Sequence, residues 1–298
     1  MEPRIKQGWL RTLIFFPVWG FFSSVIGTIG LFMLMFLNGI DFSNQEDAQL
    51  FMKPIMDGDF SSPIMGFTMF FQLLSTTLAV FFMMKYIDRK PFSSVGLSTV
   101  NLKNDIIDGL CASLILIGGT FFILWLSGAI IITEKDFNVS IFLVSFILLF
   151  NSFDQELMFR GYILNNLMDS FKNRWVALGV SSIFFSVLHF GNPEFFSSYI
   201  PLLSMIFGGT ILLGLSYTFT KNLWFPTFFH FGWNFLQGLF GFEISGIGVD
   251  SWSIYSHTNN ENFSDLITGG AFGIEGSIVS LFLIFIGIYI VFRKYEKK

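Results

Sequence analysis

The chain has 298 residues, 53% of them hydrophobic and 13% charged, with a net charge of −4 and a mean hydropathy of +0.65. A water-soluble domain needs far more polar surface than this, so the composition excludes one. It leaves no basic face for a nucleic acid, and a single cysteine excludes an internal disulfide or a CxxC metal knuckle. That cysteine, Cys111, lies inside an apolar run and reads as a small buried residue.

Along the chain, apolar stretches long enough to cross a hydrocarbon core of roughly 30 Å recur. They fall near 12–37, 65–87, 109–132, 140–167, 176–196, 200–219, 223–242 and 273–292. The expected fold is therefore all-α, a polytopic membrane bundle of about eight transmembrane helices. The fifth stretch is the weakest, because its apolar run stops at Gly191-Asn192-Pro193. The first is too long for the apolar region of a cleaved signal peptide, and no alanine precedes Ala48 to form a cleavage site. No internal repeat or low-complexity linker divides the chain, so residues 1–298 read as one integral membrane domain.

Basic residues give an independent test of this segmentation. With the N-terminus inside, the cytoplasmic pieces hold Arg4, Lys6, Arg11, Lys85, Arg89, Lys90, Lys103, Lys172, Arg174, Lys221, Arg293, Lys294, Lys297 and Lys298. The outer loops hold only Lys53 and Lys135, and Arg160 lies within a helix. The positive-inside rule then predicts a multi-pass protein of the cell membrane with both termini in the cytoplasm.

Ionisable and polar groups at membrane depth are costly and are functional suspects by default. The fourth stretch carries Asp154, Gln155, Glu156 and Arg160 in FNSFDQELMFRGYIL, the fifth His189 in SIFFSVLHFGNPE, and the seventh His230 and Asn234 in NLWFPTFFHFGWNF. The remaining histidine, His257, sits in a polar outer segment and reads as solvated. At a rise of about 1.5 Å per residue, Glu156, His189, His230 and Asn234 all lie roughly 10–20 Å from the cytoplasmic ends. They are expected to line one water-accessible cavity, with Arg160 near its cytoplasmic edge. His230 and Asn234 share a helix face by their spacing of four, as do Glu156 and Arg160. Each pair also has a plain structural reading: an intrahelical ion pair for the one, interhelical hydrogen bonds for the other.

QELMFRG, FSVLH and HFGWN together resemble the three-motif signature of the CPBP group, the CAAX-protease-like and bacteriocin-processing (Abi) membrane proteins. The pattern, E-E-x-x-x-R, F-x-x-x-H and H-x-x-x-N on three helices, falls on Gln155-Glu156 with Arg160, on Phe185 with His189, and on His230 with Asn234. The resemblance covers roughly residues 140–240. It implies an intramembrane endopeptidase that acts on a peptide or lipidated-protein substrate reached from lipid or cytosol. Glutamate and His189 would activate water, and His230 and Asn234 would hold the oxyanion. It implies no cofactor, although two histidines with a carboxylate are also a donor set that zinc accepts. One position departs from the pattern: the first glutamate, which the family uses as base, is Gln155 here. A carboxamide takes no proton from water at ordinary pH. Three readings follow. Glu156 takes over as base, the chain binds a peptide or partner without cutting it, or the substitution inactivates an enzyme. The rivals from other classes are a transporter, for which no repeated halves are found, and a membrane binding or regulatory protein.

Overall fold

A computed structural model describes residues 2–41, 43–134, 137–249 and 251–296. Lys135, Lys297 and Lys298, used above for orientation, lie outside the described residues. The fold is a polytopic helical bundle. In chain order it contains α1 (Gly8–Leu37), α2 (Gln45–Met56), α3 (Pro63–Asp88), α4 (Leu102–Leu126), β1 (Ile130–Glu134), α5 (Ser140–Ser170), α6 (Arg174–Leu188), α7 (Ile200–Thr220), α8 (Trp224–Leu239), β2 (Tyr255–Asn259) and α9 (Ile278–Glu296).

Each of the eight apolar stretches contains a helix, but among the described residues six helices (α1, α3, α4, α5, α7 and α9) are long and apolar enough to cross a membrane. The expected count of eight spans is therefore not reproduced. Helices α6 and α8 have 15 and 16 residues, about 22–24 Å at about 1.5 Å per residue, short of the roughly 30 Å core. Helix α6 ends at Leu188 rather than near 196, so His189 is the first residue beyond it. The third stretch ends at Leu126, and the residues expected to continue it form β1, which pairs antiparallel with β2 from Ile130↔Asn259 to Glu134↔Tyr255.

The outer surface suits lipid. Phe21, Ile29, Phe32 and Phe36 of α1 and Phe282, Tyr289 and Ile290 of α9 are all exposed. Helices approach one another through small residues, as in other membrane bundles. A Cβ on Gly109 of α4 would meet the Phe225 carbonyl oxygen of α8 at 2.7 Å, and one on Gly232 of α8 would meet Ser113 Oγ at 2.2 Å. That contact turns Cys111, about 200° round the helix from Gly109, to the outside; it is exposed, not buried as its sequence context suggests. His257 differs from expectation too. It is half-buried in β2, with Nδ1 3.0 Å from the Gly241 carbonyl oxygen and its ring stacked on Phe242 at 4.0 Å.

A buried ionic knot fastens the ends of α1, α3 and α5. Arg11 donates from Nη1 to Asp88 Oδ1 at 2.6 Å and from Nη2 to Asp169 Oδ2 at 3.0 Å, while Tyr162 donates to Asp88 Oδ2 at 2.9 Å. Arg11 and Asp88 are each 1% exposed. Burying either charge alone would be expensive, so the two are retained together. The knot fixes α5, the helix that carries the first motif, against the N-terminal helices.

Candidate active site

The three sequence motifs meet around one cavity of about 90 Å³, room for several water molecules. Gln155 reaches it from α5, His189 from the end of α6, and His230 and Asn234 from α8; Gly208 and Gly209 of α7 complete the wall. Apolar side chains including Phe60, Leu148, Phe229 and Ile244 line the rest.

His189 is held by its own helix end. Its Nδ1 lies 2.8 Å from the Phe185 carbonyl oxygen. A carbonyl only accepts, so Nδ1 carries the proton and a neutral ring keeps its lone pair on Nε2. The imidazole stacks on the Phe185 ring at 4.5 Å, and Phe185 meets Phe159 edge-on at 4.9 Å. Gly209 leaves room for that ring, since a Cβ there would come within 2.8 Å of it.

On α8, His230 Nδ1 lies 2.9 Å from Glu156 Oε1. A carboxylate oxygen accepts, so this nitrogen also carries a proton and Nε2 remains free of it in the neutral ring. Asn234, one turn further on the same face, has no side-chain hydrogen bond among the described residues and lines the cavity.

Glu156 itself does not line the cavity with the other three. Adjacent helical residues point about 100° apart, and it is Gln155 that faces the cavity while Glu156 turns into the bundle, fully buried. There Glu156 Oε1 accepts from Arg160 Nη1 at 2.9 Å as well as from His230. Arg160 is not at a cytoplasmic edge either. It is fully buried behind the wall, donates from Nη2 to the Gly209 carbonyl, and places its guanidinium 5.4 Å from the Phe185 ring centre. Both partners of this contact lie in π-helical segments, Leu157–Leu164 and Phe207–Leu212. Such segments widen the helix and leave carbonyls for outside donors. Gln155 donates from Nε2 to Asn151 Oδ1 at 2.6 Å, and its Oε1 is buried without a partner among the described residues.

Among the described residues no three of His, Cys, Asp and Glu come together as a ligand set for a metal ion. The zinc donor set of Glu156, His189 and His230 is not assembled, because Glu156 is engaged by Arg160 away from the cavity.

The sequence reading missed several polar residues of the wall: Asn151, Asn192, Ser204, Ser245 and Glu275. Asn151 was findable, being one helical turn before Gln155. Glu275 lies far along the chain, in a short turn before α9. Gly269 and Gly273, at φ +99° and +97°, shape that turn; a Cβ on Gly273 would meet the Glu243 carbonyl oxygen at 2.1 Å. Glu275 Oε2 accepts from Trp233 Nε1 at 3.0 Å, and Oε1 accepts from Ser245 Oγ at 2.5 Å. Burial pushes its carboxyl up from the ordinary carboxylate value, against these hydrogen bonds.

Residues 137–236 match the family model described as type II CAAX prenyl endopeptidase Rce1-like. The matched segment runs from just before α5 into α8 and contains all three motifs. No curated protein and no solved structure matches the chain. Over this third of the chain the sequence is similar to the CAAX-protease-like group that its three motifs resemble.

Proposed function

We propose that the chain hydrolyses a peptide bond of a membrane-associated or peptide substrate within this cavity, with His189 as the proton acceptor. The observation that carries the reading is the meeting of His189, His230 and Asn234 around one cavity with room for several waters. The Phe185 carbonyl fixes the His189 tautomer and leaves Nε2 to take a proton from water. The resulting hydroxide attacks the scissile carbonyl carbon. The oxygen that becomes negative is met by the Asn234 amide and by His230. When the His230 ring carries both protons, Glu156 on Nδ1 holds the positive charge and Nε2–H points to the oxyanion. The proton on His189 then passes to the departing amine as the C–N bond breaks. In this reading Glu156 acts only through His230, at the oxyanion and not on the water, and no step passes through a metal. The surplus of basic residues on one side supports a cell-membrane protein with both termini in the cytoplasm.

Gln155 favours a second reading, a family member that binds a peptide without cutting it. It occupies the cavity-facing position of the first motif and offers an amide in place of a carboxylate. One experiment separates the two. A panel of peptides and lipidated peptides is incubated with the purified wild-type chain, His189→Ala and Gln155→Glu, and products are read by mass spectrometry. Cleavage by wild type that is lost in His189→Ala supports the proposed enzyme. Binding by all three variants with cleavage by none supports the second reading.

A further inference from the structure

The cavity contains one acidic side chain that neither the motifs nor the matched family segment includes. Glu275 lies outside 137–236, is 4% exposed, and is the only carboxylate among the described residues that line the cavity. Its placement is strongly determined. Ser204 Oγ donates to its backbone carbonyl at 2.6 Å. Ser245, which donates to Oε1, is held in the left-handed region at φ +52°, and Asn192 Nδ2 fixes the Ser245 carbonyl at 3.0 Å.

Both carboxylate oxygens accept hydrogen bonds, the pattern of the charged form. Among the described residues no lysine or arginine pairs with it, in contrast to Glu156 with Arg160 and Asp88 with Arg11. His230 lines the same cavity and lends Glu275 a positive charge only while its ring holds both protons; a desolvated carboxylate without a permanent cation is costly, and a cation brought beside it offsets that cost. A carboxylate has about four lone-pair positions, so a ligand can still be accepted beside the bonds from Trp233 and Ser245. The neighbouring wall of Met205, Phe229 and Ile244 suits an aliphatic stem behind a charged head.

We propose that Glu275 makes this end of the cavity a subsite for a cationic group of the peptide substrate, a lysine or arginine side chain close to the scissile bond. The proposal rests on the reading that the cavity receives a peptide. It adds a selectivity: the same carboxylate repels a substrate that would present a free carboxylate at this end.

The test uses the full-length chain in lipid nanodiscs and a set of peptides in which one lysine is moved through each position, each paired with its norleucine counterpart. Binding and hydrolysis are measured separately. At one position lysine should bind about tenfold or more tighter than norleucine, the scale of a close desolvated charge pair. Glu275→Gln should remove that preference, so that lysine and norleucine peptides bind the variant alike. A zero-length carbodiimide crosslink on wild type provides a second readout that needs no variant: it should join the lysine Nζ to Glu275. Equal binding of lysine and norleucine peptides, a preference that survives Glu275→Gln, a crosslink to another carboxylate, or no peptide binding at all would overturn the subsite. Lysine-selective binding without hydrolysis would leave the subsite standing and overturn only the protease reading.

Discussion

Glu156→Gln isolates the charge on which the site's frame depends. Arg160 is fully buried, and its charge is met by Glu156 at 2.9 Å and by the Gly209 carbonyl. Glutamine keeps the shape of the side chain and an oxygen that can accept from His230 Nδ1, so what the substitution removes is the counter-charge. Leaving one member of a buried pair alone costs about 3–5 kcal/mol, a large share of the roughly 5–15 kcal/mol that holds a folded domain. In Glu156→Gln/Arg160→Met both charges are gone. The remaining deficit should be about 1–3 kcal/mol, the cost of the Gly209 carbonyl left without its donor. The double variant should therefore be more stable than Glu156→Gln alone. The assay is reversible unfolding in mixed micelles of increasing SDS fraction, followed by tryptophan fluorescence, with all variants in one lipid and salt. A loss under about 1 kcal/mol for Glu156→Gln would refute a desolvated pair, since exposed pairs contribute on that scale. So would a double variant that shows the plain sum of the two single losses.

Four further outcomes are expected. If the chain cleaves peptides, His189→Ala should abolish turnover and Asn234→Ala should reduce kcat by about 10²–10³-fold, the usual cost of an oxyanion donor; steady-state kinetics on any cleaved peptide decides. Gly209→Ala should displace the Phe185 ring, 2.8 Å from the added Cβ, and lower stability by about 1–3 kcal/mol in the same unfolding assay. Partial burial raises the Asp59 carboxyl but bonds from Ser61 and Ser251 outweigh it, so its pKa falls below the ordinary 3.8. A depressed carboxylate stabilises above its unfolded value and loses that contribution as pH falls through the folded one; Asp59→Ala should thus lower the unfolding midpoint at pH 7 and make no difference once the pH is below both. Reporter fusions after Lys103 and Lys172 and at the C-terminus should report cytoplasm, and fusions near Asp59 and Asp265 the outside; an outside signal at the C-terminus would refute the orientation.

What the sequence could and could not reveal divides along physical lines. Helical existence was legible because roughly 20 apolar residues in a row have few other uses. The three motifs were legible because polar groups stand out against such runs. The lengths of α6 and α8 were not legible from apolarity alone: the runs continue past Leu188 as Phe190 and past Leu239 as Phe240, although the helices stop. Spacing also brought Glu156 to the wrong place. Depth along an axis puts Glu156 level with His189 and His230, but depth carries no information about rotation. Only the packing of α5 shows that Gln155 faces the cavity and Glu156 faces Arg160 and His230. Cys111 failed for the same reason, since apolar surroundings in sequence do not distinguish a lipid face from a protein face.

The two short helices and the missed polar residues are parts of one arrangement. Beyond α6 the chain runs irregularly through Asn192, and beyond α8 it runs irregularly through Ser245 before it reaches Glu275. Irregular backbone near membrane depth is tolerated only where it is buried in protein or lines a watery space, because lipid satisfies no N–H or C=O. These segments meet that condition by bonding to one another: Asn192 to the Ser245 carbonyl, Gly246 N–H to the Phe272 carbonyl, and Ser204 to the Glu275 carbonyl. Helices that stop early thus open a space within the bundle, and the loops that follow close it with polar groups. A motif defined on helices and their ends records His189, His230 and Asn234. The groups that meet them from the loops, Asn192, Ser245 and Glu275, have no helical spacing to reveal them, and under the proposed function they are where selectivity for a substrate can differ while the motif residues stay the same.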